Sequence, residues 1–234
     1  MSVESRPVTL IPEWVLFLVG LVALLAVPVV AIVSTKPLFG WEDVSEISMG
    51  AAVFGIAVGW IAVGAVMYLA SRQSGESFRA HFGLRFEAVD ILGLPLGVAL
   101  QFAMVLLYWP LLKLLDDADV DEVAQDLAEQ ARSSGSLGVT LLVLSAVVLA
   151  PVMEELFFRG MLFGLLGRVT PTYVAIFGSA VIFGGIHFQA LQFLGLFVVG
   201  AATAFVVSRS SGRLGMAILL HAGFNATTVV FVLL

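Results

Sequence analysis

The sequence predicts an all-α, polytopic transmembrane helical bundle of about seven to eight helices. Three observations carry this reading. The 234 residues are 60% hydrophobic and only 12% charged, where a soluble domain is about 45–50% apolar and about 25% charged. Mean hydropathy is +1.08. The apolar residues are gathered into long runs, each close to the about 20 residues a membrane helix needs, parted by polar stretches. The chain has no cysteine, which excludes disulfide frameworks and thiolate metal sites. A pI near 4.9 argues against a nucleic-acid partner, which calls for a basic patch.

The first helix is predicted over 14–33. It is too long for a signal-peptide core and no small-residue cleavage pattern follows it, so it reads as a retained span. Pro28 is placed to kink it. Residues 34–46 form a polar loop. The second helix, 47–70, carries Gly55, Gly59 and Gly64, which let helices pack closely in lipid. Residues 71–90 are a polar connector with Arg72, Arg79, Arg85 and His81, the histidine expected to be solvated. The third helix is 91–112, with a small pair at Gly93 and Gly97.

The stretch 113–136 is the most polar, with Asp116, Asp117, Asp119, Asp121 and Glu122. A short helix on the membrane surface is expected over 123–132. EF-hand spacing is absent, so the acids read as a solvated loop. The fourth apolar run, 137–167, would be about 46 Å long as one helix, beyond the roughly 30 Å hydrocarbon core. It must tilt, kink at Pro151 or project. The fifth helix is expected over 172–188, the sixth over 191–207 and the seventh over 214–234. With the N-terminus in the cytoplasm, Arg6, Arg72, Arg79, Arg85, Arg168, Arg209 and Arg213 face inward against Lys36, Lys113 and Arg132 outside. The positive-inside rule therefore predicts a multi-pass protein of the cytoplasmic membrane with a cytoplasmic N-terminus.

Few strongly polar residues remain inside the apolar runs: Glu154, Glu155, Arg159, His187, Gln189, Gln192, His221 and Asn225. A charge at the bilayer centre costs somewhere between about 2.5 and 17 kcal/mol, so such residues are functional candidates by default. Glu155 and Arg159 stand i and i+4 with the acid first, the better order for a helical ion pair. Glu154 points about 100° away and is left to face something else. Phe183 and His187 would share a helical face, as would His221 and Asn225. Counted from the turns on one side, Glu154 lies about 20 Å deep, His187 about 22 Å, and His221 and Asn225 about 15 and 21 Å. One carboxylate, two imidazoles and one carboxamide can therefore converge. Gln189 and Gln192 fall in the turn between helices five and six, where substrate contact is open to them.

Such a set suits amide hydrolysis inside the membrane. A glutamate beside an imidazole can deprotonate water, and histidine and asparagine donors can stabilise an oxyanion. Alternatively, Glu154, His187 and His221 can hold Zn2+ with a position open for water. There is no His-Glu-x-x-His pattern and no G-x-S-x-G elbow, so Ser145 and Ser179 read as packing or hydrogen-bonding residues.

At these positions the sequence resembles the CPBP family of CAAX-type prenyl-protein endopeptidases and bacteriocin-processing or immunity proteins. The three family motifs read Glu154-Glu155-Leu-Phe-Phe-Arg159, Phe183-Gly-Gly-Ile-His187 and His221-Ala-Gly-Phe-Asn225. The Arg213-Leu-Gly-Met-Ala-Ile-Leu-Leu run and the Phe82-Gly83-Leu84-Arg85 connector also look familiar. The resemblance covers about 137–234, which it implies is the catalytic core, with 1–136 supplying further helices and the acidic loop. It implies a membrane endopeptidase in which Glu154 and His187 activate water, His221 and Asn225 form the oxyanion site, and Glu155, Arg159 and Phe183 hold the geometry. The family has been described as metal-dependent, while a metal-free glutamate mechanism fits the same residues; both stay open. Expected partners are membrane lipid and a peptide or membrane-protein substrate. Two rivals are a non-catalytic membrane adaptor or immunity protein on the same fold, and a transporter using the Glu–His cluster as a proton relay. Intact motifs count against the first, and the lack of an internal repeat against the second.

Overall fold

The computed structural model describes residues 11–39, 48–114 and 122–234. The acids Asp116, Asp117, Asp119 and Asp121, and most of the loop expected over 34–46, lie outside the described residues. Among the described residues, eight longer helices follow one another: α1 (Glu13–Ser34), α2 (Met49–Ser74), α3 (Gly93–Leu114), α4 (Glu122–Ser133), α5 (Gly135–Gly167), α6 (Thr172–Gly185), α7 (Phe193–Arg209) and α8 (Gly215–Leu233). Short turns at Phe78–His81 and Ala88–Leu92 shape the connector before α3. The chain is a polytopic helical bundle, as expected, and is read as a membrane protein.

Seven apolar runs were expected to cross the membrane; among the described residues, five helices are long and apolar enough by length and composition, and two further apolar helices are shorter. The runs expected over 172–188 and 191–207 become helices of 14 and 17 residues, about 21 and 26 Å long. The lost residues form the turn between them. Phe188 there has φ 55°, a conformation that no helix continues through. α2 runs past the expected end through Ser71 and Arg72 to Ser74 and stops at left-handed Gly75. Serine hydroxyls at 71 and 74 bond back to Tyr68 and Ser71 carbonyls, so this polar turn stays helical although hydropathy alone ends it.

Three helix pairs build the bundle. α1 packs on α2, α3 on α8, and α6 on α7, while α5 runs between them. Small residues set the close approaches. A Cβ on Gly59 would come 2.5 Å from the Pro28 ring and one on Gly55 2.4 Å from Ile32, so Pro28 is seated in a glycine groove of α2. A Cβ on Gly93 would meet Met216 O at 2.5 Å, and one on Gly97 would meet Leu220 O at 2.0 Å. Each four-residue step along α3 thus matches four along α8, and the two helices run parallel.

A ladder of rings crosses the bundle. Phe17 of α1 stacks on Phe157 of α5 at 5.0 Å, Phe157 meets Phe158 at 5.2 Å, and Phe158 meets Phe183 of α6 at 5.2 Å. Phe157, Phe158 and Phe183 are fully buried. Outward residues such as Val30, Leu106, Phe177 and Phe205 are exposed, as sides facing lipid require.

The start of α8 is fastened to the connector. Leu214 N donates to Gly83 O and Gly215 N to Arg85 O, at 3.0 and 3.2 Å. Gly83 is left-handed, with φ 67°, and a Cβ there would lie 1.9 Å from Gly212 O, so only glycine fits. Buried Asp90 takes Nε and Nη2 of Arg213 at 3.0–3.2 Å and also accepts from Glu87 N at 2.8 Å. Arg213 reaches Glu87 as well, at 2.7 Å, and its hydrogen bonds to Asp90 raise its pKa above the usual arginine value. His81, expected to be solvated, is instead held between Glu13 and Glu76 at 3.4 and 3.2 Å with an 8% exposed side chain. Two carboxylates from different segments recruit it.

Replacing Gly97 by Ala should cost about 2 kcal/mol or more, because the new methyl meets backbone that cannot yield. Gly164→Ala, with open space around its Cβ, should be neutral or gain up to about 1 kcal/mol. Thermal unfolding in detergent compares the two.

Candidate active site

The site begins on α5, where the helix is not uniform. It widens to i→i+5 winding over Leu144–Leu149 and again over Glu155–Phe163, with ordinary α-helix at Ala150–Glu154 between. Pro151 sits in the narrow part. Its missing N–H and bulky ring disturb the preceding turn, and widening next to it keeps the rod continuous. Local π winding is frequent at functional sites. Glu154 and Glu155 fall where the second widening begins.

Glu155 is fully buried and Arg159 is 1% exposed. Their ion pair, expected from the i, i+4 spacing, is present with Arg159 Nε 3.2 Å from Glu155 Oε2. The guanidinium also binds α7: Nε donates to Thr203 Oγ1 at 2.8 Å and Nη2 to Gly200 O at 3.1 Å. Thr203 passes the chain on, donating to Val199 O at 3.1 Å. Arg159 Cζ lies 4.5 Å above the Phe183 ring, a cation–π contact strengthened by exclusion of water. Thr203 and Gly200 were not singled out in the sequence. They lie in a run of small residues whose only signal was close packing.

The other Glu155 oxygen holds α8. His221 Nδ1 lies 2.9 Å from Glu155 Oε1. A carboxylate beside an arginine can only accept, so Nδ1 carries the hydrogen and Nε2 is the free nitrogen. Nε2 faces Glu154 Oε2 across 3.7 Å. The His221 side chain is 4% exposed and the Glu154 side chain 16%, so Glu154 is the member of the pair open to the outside.

His187 departs from expectation. It stands in the turn just beyond α6, not on the helix. Its Nδ1 lies 2.8 Å from Phe183 O, closing the helix end as histidines near C-termini do. The carbonyl fixes Nδ1 as donor and leaves Nε2 free. The Phe183 ring stands 5.0 Å from His187 and 5.8 Å from His221, so both imidazoles flank one ring. Among the described residues, no ion pair joins His187 to either glutamate; the histidine beside Glu154 is His221. Asn225, one turn after His221, donates Nδ2–H to Ala146 O at 2.8 Å. Gln189 lies in the turn before α7 with Oε1 buried. Ser145 and Ser179 bond to carbonyls of their own helices at 2.7 and 3.1 Å, as ordinary helix serines do.

The structure therefore gathers Arg159, His187 and His221 around the Phe183 ring, with Glu154 and Glu155 joined to them through His221 and Arg159 and Asn225 at the margin. Among the described residues, no group of three or more His, Cys, Asp or Glu side chains is placed to hold a metal ion; His187 and His221 each turn Nδ1 to an acceptor and keep Nε2 open.

This geometry coincides with a family match. Residues 136–227 match the Rce1-like family, described as type II CAAX prenyl endopeptidase. All three motifs lie inside the matched stretch, and the resemblance expected from them is borne out. A protein of Bacillus subtilis (strain 168), named "Putative membrane peptidase YdiL", is 30% identical over 92 residues. The aligned stretch covers 39% of this chain and 37% of that relative. No solved structure matches the chain. The likeness to that family is a likeness of residues 136–227, less than half of the chain.

Arg159→Ala should destabilise the protein by about 3–5 kcal/mol, since it strands a buried carboxylate, whereas Thr203→Val should cost only about 1 kcal/mol. Denaturation in detergent, followed by circular dichroism, reads the difference.

Proposed function

We propose that the chain is an intramembrane endopeptidase that hydrolyses a peptide bond of a membrane-associated or lipidated substrate with a glutamate-activated water. The observation that carries this reading is Glu154 facing His221 Nε2 across 3.7 Å while Glu155 fixes the ring from behind at 2.9 Å. A water that hydrogen-bonds both Oε2 and Nε2 from the open side gives a proton to Glu154. Its oxygen attacks the scissile carbonyl carbon, and the carbonyl electrons move to oxygen. Asn225 has a second Nδ2–H beyond the one given to Ala146 and donates it to the oxyanion. The C–N bond then breaks, and the proton held by Glu154 passes to the departing amine. His221 assists as neutral base at Nε2 and, once protonated, as donor from the same nitrogen.

His187 keeps Nε2 free beside the same Phe183 ring and passes to the released amine the proton that the new carboxylic acid loses. The pairing of Glu154 with His221 rather than His187 departs from the roles the motifs imply. Glu155 and Arg159 touch no reacting atom; they hold His221 in its tautomer and orientation, as carboxylate–histidine pairs do. The cytoplasmic membrane, with the N-terminus inside, is the proposed location.

Detergent-purified protein should cleave members of a quenched peptide library, some lipidated. Glu154→Gln and His221→Ala should lower kcat/KM by about 10²–10⁴, and His187→Ala by at least about 10², with helical content unchanged. A strong chelator should leave the rate within about twofold, since each step uses the chain's own groups. Wild-type turnover in all three variants would sink the assignment. A chain that cleaves nothing yet retains a partner from its native membrane would favour the adaptor reading.

A further inference from the structure

Between α3, α4, α7 and α8 lies a cavity of about 360 Å³, at the small end of ligand sites, which run from about 300 to 1,000 Å³. Its walls are mostly apolar, with Met104, Leu142, Leu196 and Val229 among them, and no charged side chain lines it among the described residues. Asn225 forms part of the wall, so the cavity adjoins the proposed oxyanion site. Tyr108, also on the wall, donates to Leu191 O at 2.9 Å and accepts from Gly195 N at 2.8 Å. It braces the start of α7 and with it the turn that carries His187.

Gln101 gives the cavity a polarity. It stands one turn after Gly97 on the α3 face that packs against α8. It is 8% exposed, it lines the cavity, and its carboxamide oxygen is buried with no hydrogen-bond partner. A buried acceptor without a donor is destabilising, most of all at membrane depth. An oxygen of this kind in an apolar chamber calls for an incoming N–H.

We propose that this cavity is the specificity pocket for a large, uncharged, apolar residue beside the bond to be cut, and that Gln101 accepts the main-chain N–H of that residue. The inference rests on the endopeptidase reading above and adds its selectivity. An acyl or prenyl chain would suit the walls but brings no N–H to Gln101, so peptide is the occupant. Lysine and arginine side chains are rejected because no counter-charge lines the wall among the described residues.

The test uses quenched decapeptides whose residues flanking the central bond are Ala, Leu, Phe or Lys, each also made with that residue N-methylated. Wild type should prefer Phe or Leu over Ala by about tenfold in kcat/KM and reject Lys. N-methylation should cost wild type about tenfold, mainly in KM, and cost Gln101→Leu nothing further. Ala124→Trp, which fills the cavity from α4, should reverse the preference toward Ala. Binding of the same peptides to Glu154→Gln, read by fluorescence anisotropy, should show the same order. Equal losses on N-methylation in wild type and Gln101→Leu would overturn the proposal, as would lipidated Ala peptides outrunning unlipidated Phe peptides. If binding to Glu154→Gln keeps the Phe preference and Gln101 dependence while wild type cleaves nothing, the pocket stands and the protease reading falls. Cleavage without that selectivity has the opposite meaning.

Discussion

The site depends on one carboxylate with two partners. Glu155 sits on α5, fully buried, with a cation on one oxygen and an imidazole on the other. Alone, either partner would be a poor bargain in lipid, since desolvating the charge costs several kcal/mol. Together they tie α5 to α7 through Arg159 and Thr203, and α5 to α8 through His221. The ion pair thereby does more than neutralise itself: it sets which nitrogen of His221 is free and where that nitrogen points. Glu154, one residue earlier, inherits a fixed partner without spending its own charge on structure.

Much of this site was legible in the sequence because it depends on short-range spacing. Glu155 and Arg159 at i and i+4 form a pair on almost any helix, and the observed 3.2 Å follows. Contacts between distant helices were legible only as approximate depth. That counting brought Glu154, His187 and His221 to one layer but could not rank them; the resemblance paired Glu154 with His187, while His221 is the histidine that lies 3.7 Å from Glu154. The placement of His187 has a local cause. Counting assumed that α6 continues through His187, whereas the helix ends at Gly185 and the ring turns back to its own carbonyl. Thr203 was invisible for another reason: a threonine in an apolar helix normally bonds its own backbone, as this one also does.

The fold was legible in class and less so in extent. Apolar runs fixed the helices within a few residues, yet hydropathy cannot separate a helix from an equally apolar turn. Ile186, Phe188 and Leu191 are apolar enough to be counted into the two helices, and the structure uses them in the turn. His81 shows the converse. Basic and polar neighbours suggested water, but Glu13 from a remote segment closes over it.

The aromatic ladder has a consequence for how the chain is partitioned. The family match reaches back only to residue 136, near the start of α5, but the packing goes further. Phe17 supplies the far face of Phe157, Gly97 gives α8 its seat, and Asp90 anchors the loop that starts α8. The first three helices are therefore the outer wall of the same chamber. A fragment cut at the boundary of similarity would present a bare phenylalanine face and an unsupported histidine helix. Shape accordingly constrains the N-terminal half as tightly as the matched half: a change at Phe17, Asp90 or Gly97 calls for a matching change in the residue it touches.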